Sequence, residues 1–245
     1  MDRLLEATAR AEREHFWFRG LRRFMAPLVE DAARGIRSPK ILDCGCGTGH
    51  NLGMLRRFGR AAGIDLTWTG LSYAHERGER AIAQASATSL PFQTGTFDVV
   101  TSFDVIYALN DRDEQAALAE MFRVLTPGGH LVVNAAAMDL LKGNHSVLAL
   151  EVRRYSQQSL RERLQRAGFT VRRMSYTNAS ILPIVAAVRL VQRVSGHEEL
   201  EEEIAVPPAP INAALSAALT VESALVRFVN MPFGSSLMAL AQKPR

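Results

Sequence analysis

The feature that most constrains the fold is a glycine-rich turn between an apolar strand and a helix. The run Ile41–Asp43 leads into the letters CGCGTG at residues 44–49, and a helical pattern follows from His50 to Phe58. Glycines at positions 45, 47 and 49 allow a tight turn and let a ligand approach the backbone closely. A strand, glycine turn and helix in this order predict a parallel α/β sheet with a nucleotide-type ligand at the turn.

Short apolar runs alternate with helical patterns between Pro39 and Arg173. This alternation predicts a parallel sheet that is covered by helices on both faces. The strand-like runs are residues 40–44, 61–66, 81–85, 97–102, 129–134, 169–175 and 235–242.

Two of the helical patterns carry end signals. Asp111 and Glu114 stand at capping-box spacing at the start of a helix predicted over residues 111–125. A second helix is predicted over residues 156–167, and Gly168 is its expected C-cap.

Composition places the chain among soluble globular proteins. At 245 residues, with 47% hydrophobic and 22% charged side chains, one large domain is expected. The net charge of +4 comes without a basic block interleaved with aromatics, so no nucleic acid is expected as a partner. The first ten residues lack a signal-peptide pattern and no apolar run approaches ~18 residues, which favours the cytoplasm without stable membrane insertion. Cys44 and Cys46 are too close for an ordinary disulfide and too few for a zinc site, so no metal is expected.

A carboxylate follows the second predicted strand. Asp65 ends the run Gly63-Ile64-Asp65, where its oxygens can accept hydrogen bonds from both hydroxyls of a ribose. The dinucleotide pattern G-x-G-x-x-G requires glycine at position 50, but His50 stands there. The spacing therefore favours a single nucleoside moiety and argues against NAD or FAD.

Four motifs then resemble those of class I S-adenosylmethionine-dependent methyltransferases. They are ILDCGCGTG, GIDL, TSLPFQTGTFDVVTS and MFRVLTPGGHLVV, and they cover about Lys40 to Val133. The resemblance implies S-adenosyl-L-methionine as the cofactor and a Rossmann-like seven-stranded α/β sheet whose last two strands form an antiparallel hairpin. It also implies a division into an N-terminal helical cap at 1–38, a methyltransferase core at 39–180, a helical insertion at 181–231 and a final core strand at 232–245.

The start and a later segment also resemble a bacterial methyltransferase type 11-like subgroup that has an HWWF-type start and an RRY motif. The corresponding letters here are HFWF at 15–18 and RRY at 153–155. The chain departs from that subgroup at two places. Ser86 or Ala87 replaces an aspartate after strand three, and Ala108 replaces a histidine after strand four. The first change puts side-chain recognition of the adenine in doubt, and the second removes one base.

The resemblance and the spacing together indicate the residues that hold the cofactor. They are Asp43, Gly45, Cys46, Gly47 and Gly49 at the methionine end, Asp65 on the ribose, Leu66, Ala87, Thr88 and Leu90 near the adenine, and Ser102 at the methionyl amino group. The N-terminal segment is expected to fold over the cofactor, so that Trp17 walls the pocket and Arg22 pairs with the methionine carboxylate. An amphipathic helix with solvated arginines is an equally good account of that segment.

Methyl transfer from a sulfonium needs a general base only when the nucleophile must lose a proton. His15 and Tyr107 are the favoured candidates, ahead of His145 and Tyr155. Glu151 either steers a cationic amine or pairs with a neighbouring arginine. The expected acceptor is a small or medium-sized, apolar or lipid-linked molecule with an O, N or C nucleophile. A nicotinamide oxidoreductase and an inactive cofactor-binding scaffold are the alternatives.

The segment from 181 to 231 is expected to wall the acceptor pocket or to form a homodimer contact. Two apolar helical patterns lie in it, Pro183 to Val194 and Ile211 to Val229. Most of the circumference of the second should be covered, because its polar stripe is thin. That stripe consists of Asn212, Ser216, Ser223 and Arg227. Packing on the main domain or on a second subunit is the favoured cover, and a membrane surface or a lipid substrate is the alternative.

Overall fold

The computed structural model of the protein describes residues 2–138, 151–184 and 205–245. His145, the acidic run at 198–203 and most of the helical pattern at 183–194 lie outside the described residues.

Within these ranges, seven strands form one sheet in the order β3-β2-β1-β4-β5-β7-β6. β7 runs antiparallel to both β5 and β6, and the other neighbouring strands pair in parallel. The predicted Rossmann-like α/β sheet is therefore confirmed. The strands are β1 Lys40–Cys44, β2 Arg60–Asp65, β3 Ile82–Gln84, β4 Phe97–Phe103, β5 Leu125–Ala136, β6 Thr170–Thr177 and β7 Ser236–Gln242.

Helices cover both faces of this sheet because neighbouring residues of each strand point to opposite sides. The helices are α1 Asp2–Ala11, α2 Phe16–Ala33, α3 His50–Leu55, α4 Trp68–Glu76, α5 Asp111–Val124, α6 Gln157–Arg166 and α7 Ala209–Val226, and a 3₁₀ turn covers Ile106–Ala108. Ile41 and Val99 pack with α2, α3 and α7 on one face, whereas Leu42 and Val100 pack with α5 and α6 on the other.

The start of α5 differs from the expected capping box. Asn110 is the N-cap, and its side chain accepts a hydrogen bond from the N–H of Asp113 at 2.9 Å. Glu114 is instead buried, with a carboxylate that accepts from the Tyr155 hydroxyl at 2.9 Å and from Arg163 at 2.6 Å. Arg153 forms a further ion pair with it. Two members of the RRY motif thus fix α5 to the segment before α6.

The end of α6 also differs by one residue from expectation. Ala167 is the C-cap, and Gly168 follows it at φ 97°. Glycine suits this next position because its backbone enters the left-handed region without a steric penalty.

Helix α7 turns the first two residues of its polar stripe towards the protein. The Asn212 side chain accepts from the N–H of Phe16 at 2.9 Å, and Ser216 accepts from Arg23 at 3.2 Å. The described part of the chain leaves much of the helix circumference uncovered, because Val221 and Leu225 are 62% and 53% exposed. Among the described helices, α7 alone is long and apolar enough to meet a length-and-composition test for a membrane span.

Replacing Glu114 by alanine should lower the free energy of unfolding by about 2 kcal/mol, because two guanidinium groups and a hydroxyl lose a buried acceptor. Asp111 still accepts from both arginines, and the Ile106 oxygen still accepts from Tyr155. The loss stays below that of a fully buried pair because Arg153 and Arg163 keep some solvent contact. Chemical denaturation would measure it. Glu162→Ala is the matched control, since exposed Glu162 on α6 accepts only from Gln158. Equal losses in both variants would contradict a structural role for Glu114.

Candidate functional site

The glycine turn lies at the carboxyl ends of β1 and β2. Gly45, Gly47 and Gly49 all have positive φ angles, of 82°, 49° and 77°. A Cβ at Gly45 would clash with the side chain of Val105, and one at Gly49 would lie 2.8 Å from Ala74 Cβ. The turn therefore requires glycine for both conformation and space, as the sequence predicts.

Asp65 ties this turn to β2. Its Oδ2 accepts from the N–H of Gly47 at 2.8 Å, and its Oδ1 accepts from the N–H of Thr67 at 2.8 Å. The neighbouring side chains Leu66 and Trp68 are 68% and 70% exposed. A carboxylate beside an exposed apolar surface suits a ribose and its attached base. Trp68 was missed in the sequence, although its position three residues after Asp65 was a usable signal.

Two buried polar atoms at the ends of β1 and β4 lack a hydrogen-bond partner among the described residues. They are Asp43 Oδ2 and Ser102 Oγ, on side chains that are 1% and 0% exposed. The other oxygen of Asp43 accepts from Thr101 Oγ1 at 2.6 Å. The pKa of Asp43 is raised to about 7, mainly by burial and in smaller part by Asp65, although the Thr101 hydrogen bond lowers it. A cationic donor would satisfy both atoms and would favour the charged carboxylate.

The N-terminal segment lies over the glycine turn. A Cβ on Gly47 would be in ordinary contact with Leu5 of α1, at 3.7 Å. After α1, the buried Glu12 accepts from Thr48 Oγ1 at 2.6 Å and pairs with Arg77. The expected approach of this segment to the turn is thus present, although α1 rather than the HFWF letters makes the contact.

Arg22 belongs to a cluster of cationic groups beside the turn. It donates to the backbone oxygen of Glu12 at 2.8 Å. Burial lowers the pKa of Arg22 to about 10, and Glu12 offsets part of this effect. Burial and then Arg22 and Arg77 lower the pKa of His50 to about 4, so this imidazole is neutral at pH 7. An anionic group would be favoured here.

His15 and Trp17 shape the start of α2. His15 is the N-cap, and its Nδ1 accepts from the N–H of Trp17 at 3.2 Å. The His15 ring also stacks on Phe16 at 4.6 Å between centroids. The Trp17 side chain is partly buried against the helix-covered core on the α2 side of the sheet.

The loop after β3 is ordered by its own hydrogen bonds. Ser86 Oγ and Thr88 Oγ1 lie 2.7 Å apart, and Ala87 packs partly against the core. Leu90 is only 5% exposed, and its N–H donates to Glu120 at 2.7 Å. Leu90 is therefore a core residue, whereas Thr88 keeps its hydroxyl at the loop surface.

Cys46 lies inside the turn and is 5% exposed. Burial raises the pKa of its thiol and that of Cys44. Both thiols therefore stay protonated at neutral pH. Within the described ranges, no group of three or more His, Cys, Asp or Glu residues is arranged to hold a metal ion.

The loop after β4 contributes a residue that the sequence analysis did not single out. Asp104 has a φ of 60°, a strained value for an aspartate. Its N–H donates to the backbone oxygen of Asn134 at 3.0 Å, and Asn134 Nδ2 donates to its Oδ1 at 2.8 Å. The pKa of Asp104 is raised to about 7, mainly by burial and in smaller part by Glu151, although the Asn134 hydrogen bond lowers it. The next residue, Val105, packs on Gly45, so this carboxylate lies near the glycine turn.

Tyr107 and Glu151 complete this end of the sheet. Tyr107 is 9% exposed, and burial, then Asp104 and Glu151, raise the pKa of its hydroxyl. Glu151 forms an ion pair of 2.9 Å with Arg154, which also donates to the backbone oxygen of Ala137. The expected pairing of Glu151 with a neighbouring arginine is thus present.

Known proteins match the part of the chain that forms this site. Residues 42–133 match a family described as "Methyltransferase domain". This part of the chain, which includes the glycine turn and the ends of β1, β2 and β4, is therefore similar to a methyltransferase domain. The ubiquinone/menaquinone biosynthesis C-methyltransferase UbiE of Cronobacter sakazakii is 32% identical over 126 residues, which are 46% of this chain and 49% of that protein. The demethylmenaquinone methyltransferase of Thermus thermophilus is 37% identical over 107 residues, or 40% of this chain and 47% of that protein. The chain spans about half the length of the curated relatives it matches.

Solved structures extend the likeness of fold to nearly the whole chain. A chain in the complex of the Haloferax volcanii Trm112 methyltransferase activator with a putative methyltransferase has a TM-score of 0.62 at 17% identity, covering 98% of both chains. Haemonchus contortus phosphoethanolamine N-methyltransferase 2, in complex with S-adenosyl-L-methionine, has a TM-score of 0.58 at 18% identity. That match covers 94% of this chain and 53% of the other. The HWWF-type subgroup stays a prediction.

Replacing Asp65 by alanine should weaken S-adenosylmethionine binding about tenfold or more, because charge-assisted hydrogen bonds to the ribose are lost. Stability should fall as well, since Asp65 also accepts from the N–H groups of Gly47 and Thr67. Calorimetry and thermal unfolding would measure the two effects. Asp98→Ala is the control, because Asp98 accepts from the N–H of Lys40 at the amino ends of β1 and β4, away from the glycine turn. Unchanged affinity in Asp65→Ala would remove Asp65 from the site.

Proposed function

We propose that the protein is an S-adenosyl-L-methionine-dependent methyltransferase. The observation that carries the proposal is the pair of buried, unpartnered atoms Asp43 Oδ2 and Ser102 Oγ beside the glycine turn. Their positions suit the methionyl ammonium group, which supplies the donors and positive charge that Asp43 lacks. The methyltransferase family match over residues 42–133 supports the same cofactor.

The rest of the site fits the other parts of this cofactor. Asp65 would accept from the ribose hydroxyls, and Leu66 and Trp68 would pack against the adenine. Arg22, which donates to a single backbone oxygen in the described structure, would pair with the methionine carboxylate. The cofactor supplies an activated methyl group on a positively charged sulfur. The chain then holds the acceptor in line with that group, a proximity effect that contributes several kcal/mol.

Asp104 is our candidate for the general base when the acceptor must lose a proton. Asn134 fixes its backbone and one carboxylate oxygen, which leaves Oδ2 without a hydrogen bond among the described residues. Tyr107 stays protonated near neutral pH and would donate a hydrogen bond instead. His15 already uses Nδ1 as a helix cap. Asp104 would take the acceptor proton as the methyl–sulfur bond breaks and the new bond to the acceptor forms.

The likeness to known proteins concerns the cofactor site. The matched region, 42–133, contains the glycine turn and the ends of β1, β2 and β4, and so it carries the cofactor site. Two relatives named for ubiquinone or menaquinone biosynthesis match within less than half of this chain. We propose a small or medium-sized, apolar or lipid-linked acceptor, methylated at O, N or C in the cytoplasm.

The parts added to the core are proposed to close the acceptor pocket. They are the N-terminal cap at 1–38 and the insertion at 181–231, which meet where Asn212 bonds to Phe16 and Glu14. A homodimer contact through the insertion is the rival role.

Replacing 181–231 with a short Gly-Ser turn should preserve cofactor binding and abolish turnover. Retained turnover with a change from dimer to monomer would decide for the rival.

Calorimetry with S-adenosylmethionine and with NADH separates the leading function from the alternatives. We expect binding of the first and none of the second, because His50 occupies the position where the dinucleotide pattern needs glycine. Binding of NADH alone would favour an oxidoreductase. Binding of S-adenosylmethionine without turnover on any acceptor would favour the inactive scaffold.

Asp104→Asn should lower kcat about 100-fold or more for a hydroxyl acceptor, because asparagine cannot take the proton. In the wild type, kcat should rise as the pH passes about 7, where Asp104 becomes charged. The variant should lose this rise. The assay would follow formation of S-adenosylhomocysteine with simple phenols, a quinol and aliphatic amines as acceptors.

A second readout needs no acceptor. A carboxyl whose pKa is raised on folding adds stability below its unfolded pKa of about 4, and that stability is lost as the pH rises through about 7. Asp104→Asn should therefore reduce this loss, whereas Asp113→Asn, at a half-buried position of α5 where the carboxylate accepts from Asn110, should not. Asp104→Asn with an unchanged pH profile of kcat would show that Asp104 is structural.

A further inference from the structure

Helix α7 is fixed to the protein through its polar residues. Glu222 is 3% exposed, and its carboxylate accepts from the N–H groups of Ala179 and Ser180 at 2.9 Å each. Ser216 is also buried and accepts from Arg23 of α2. These bonds hold the helix along α2 and leave its opposite side outward.

The outward side of α7 is a continuous apolar face. Its members follow each other at intervals of three or four residues, which places them on one side of a helix. Phe228, just after the helix, is 88% exposed, and Val221 is 62% exposed. Glu222, on the buried side, is the only charged residue from Ala209 to Val226. We define the apolar face of α7 as Ile211, Ala214, Ala217, Val221, Leu225 and Phe228, all exposed.

Arginines border this face. Arg23 of α2 donates to Ser216 of α7, and Arg19 lies one turn before Arg23 on α2. Burial lowers the pKa of Arg23, and the nearby positive charge of Arg19 lowers it as well. Arg227 is exposed next to Phe228. None of these three guanidinium groups forms an ion pair with a residue in the described ranges.

We propose that the apolar face of α7 docks on the surface of an anionic lipid bilayer. An apolar stripe with cationic residues at its border is the pattern of a helix that lies in the membrane interface, where apolar groups enter the acyl boundary and arginines meet headgroup phosphates. The helix lies on the bilayer and does not cross it, because Glu222 and Ser216 are bonded to the rest of the protein. A second copy of the chain fits less well, since a symmetric contact would bring the arginines of both copies together.

The test is flotation of the full chain with vesicles of phosphatidylcholine, either alone or mixed with phosphatidylglycerol. We expect binding to the anionic vesicles, with weaker binding as the salt concentration rises. Phe228→Ser should weaken it about tenfold through lost apolar burial, and Arg227→Glu should weaken it by a similar factor. Arg166→Glu is the matched control, because exposed Arg166 lies on α6 at the other face of the sheet.

Several outcomes would overturn the proposal. Absence of binding to anionic vesicles is one, and equal binding by the wild type and Phe228→Ser is another, since it would indicate attraction by net charge alone. A dimer in light scattering that Phe228→Ser dissociates, without vesicle binding, would assign the face to a second copy. Vesicle binding that appears only after residues 185–204 are replaced would mean that this segment of the same chain occupies the apolar face of α7. Circular dichroism of each variant would establish that the fold is intact.

Discussion

The glycine turn keeps its shape because β2 supplies acceptors for its backbone N–H groups. The N–H groups of Gly45 and Cys46 both donate to the Ile64 oxygen, at 2.8 and 2.9 Å, and that of Gly47 donates to Asp65. Three neighbouring features depend on this geometry. Helix α3 begins directly after the turn, Val105 packs on Gly45, and α1 lies over Gly47. One short segment therefore aligns the two ends of the cofactor site and the loop that carries Asp104.

Asp43 and Asp104 place two carboxyl groups with raised pKa values on either side of this turn. Burial raises both pKa values to about 7, so the fold favours the protonated forms and loses stability as the pH rises through that value. A cationic cofactor reverses the balance at Asp43, because it stabilises the charged form. The same property would leave Asp104 able to accept a proton near neutral pH. The two groups thus share a physical cause and have different proposed roles.

The additions to the core are joined by polar contacts. Asn212 of α7 bonds to the backbone at Phe16 and Glu14, and Glu12 bonds to Thr48 of the glycine turn. The start of α2 therefore connects the cofactor site with α7. These polar contacts, together with the buried Leu219 and Val226, hold one side of α7 against the protein. The exposed apolar residues of the opposite side are the basis of the proposed contact with a bilayer.

The sequence by itself determined the sheet and the cofactor turn. Strand runs such as 40–44 and 97–102 agree with the structure within a residue, because short apolar runs and glycine spacing are local properties of the chain. The strand-like runs at 169–175 and 235–242 likewise became β6 and β7.

Only the tertiary structure decided which polar residues bond to each other and which apolar ones remain outside. Glu114 stood at capping spacing, yet Arg153, Arg163 and Tyr155 from distant positions hold it in a buried cluster. Asn212 and Ser216 of the polar stripe of α7 turned inward because the start of α2 and Arg23 bond to them. Burial raised the pKa of Asp104, and Asn134 of β5 fixed its orientation through a hydrogen bond. Such properties depend on contacts between residues far apart in the chain, which local patterns do not encode.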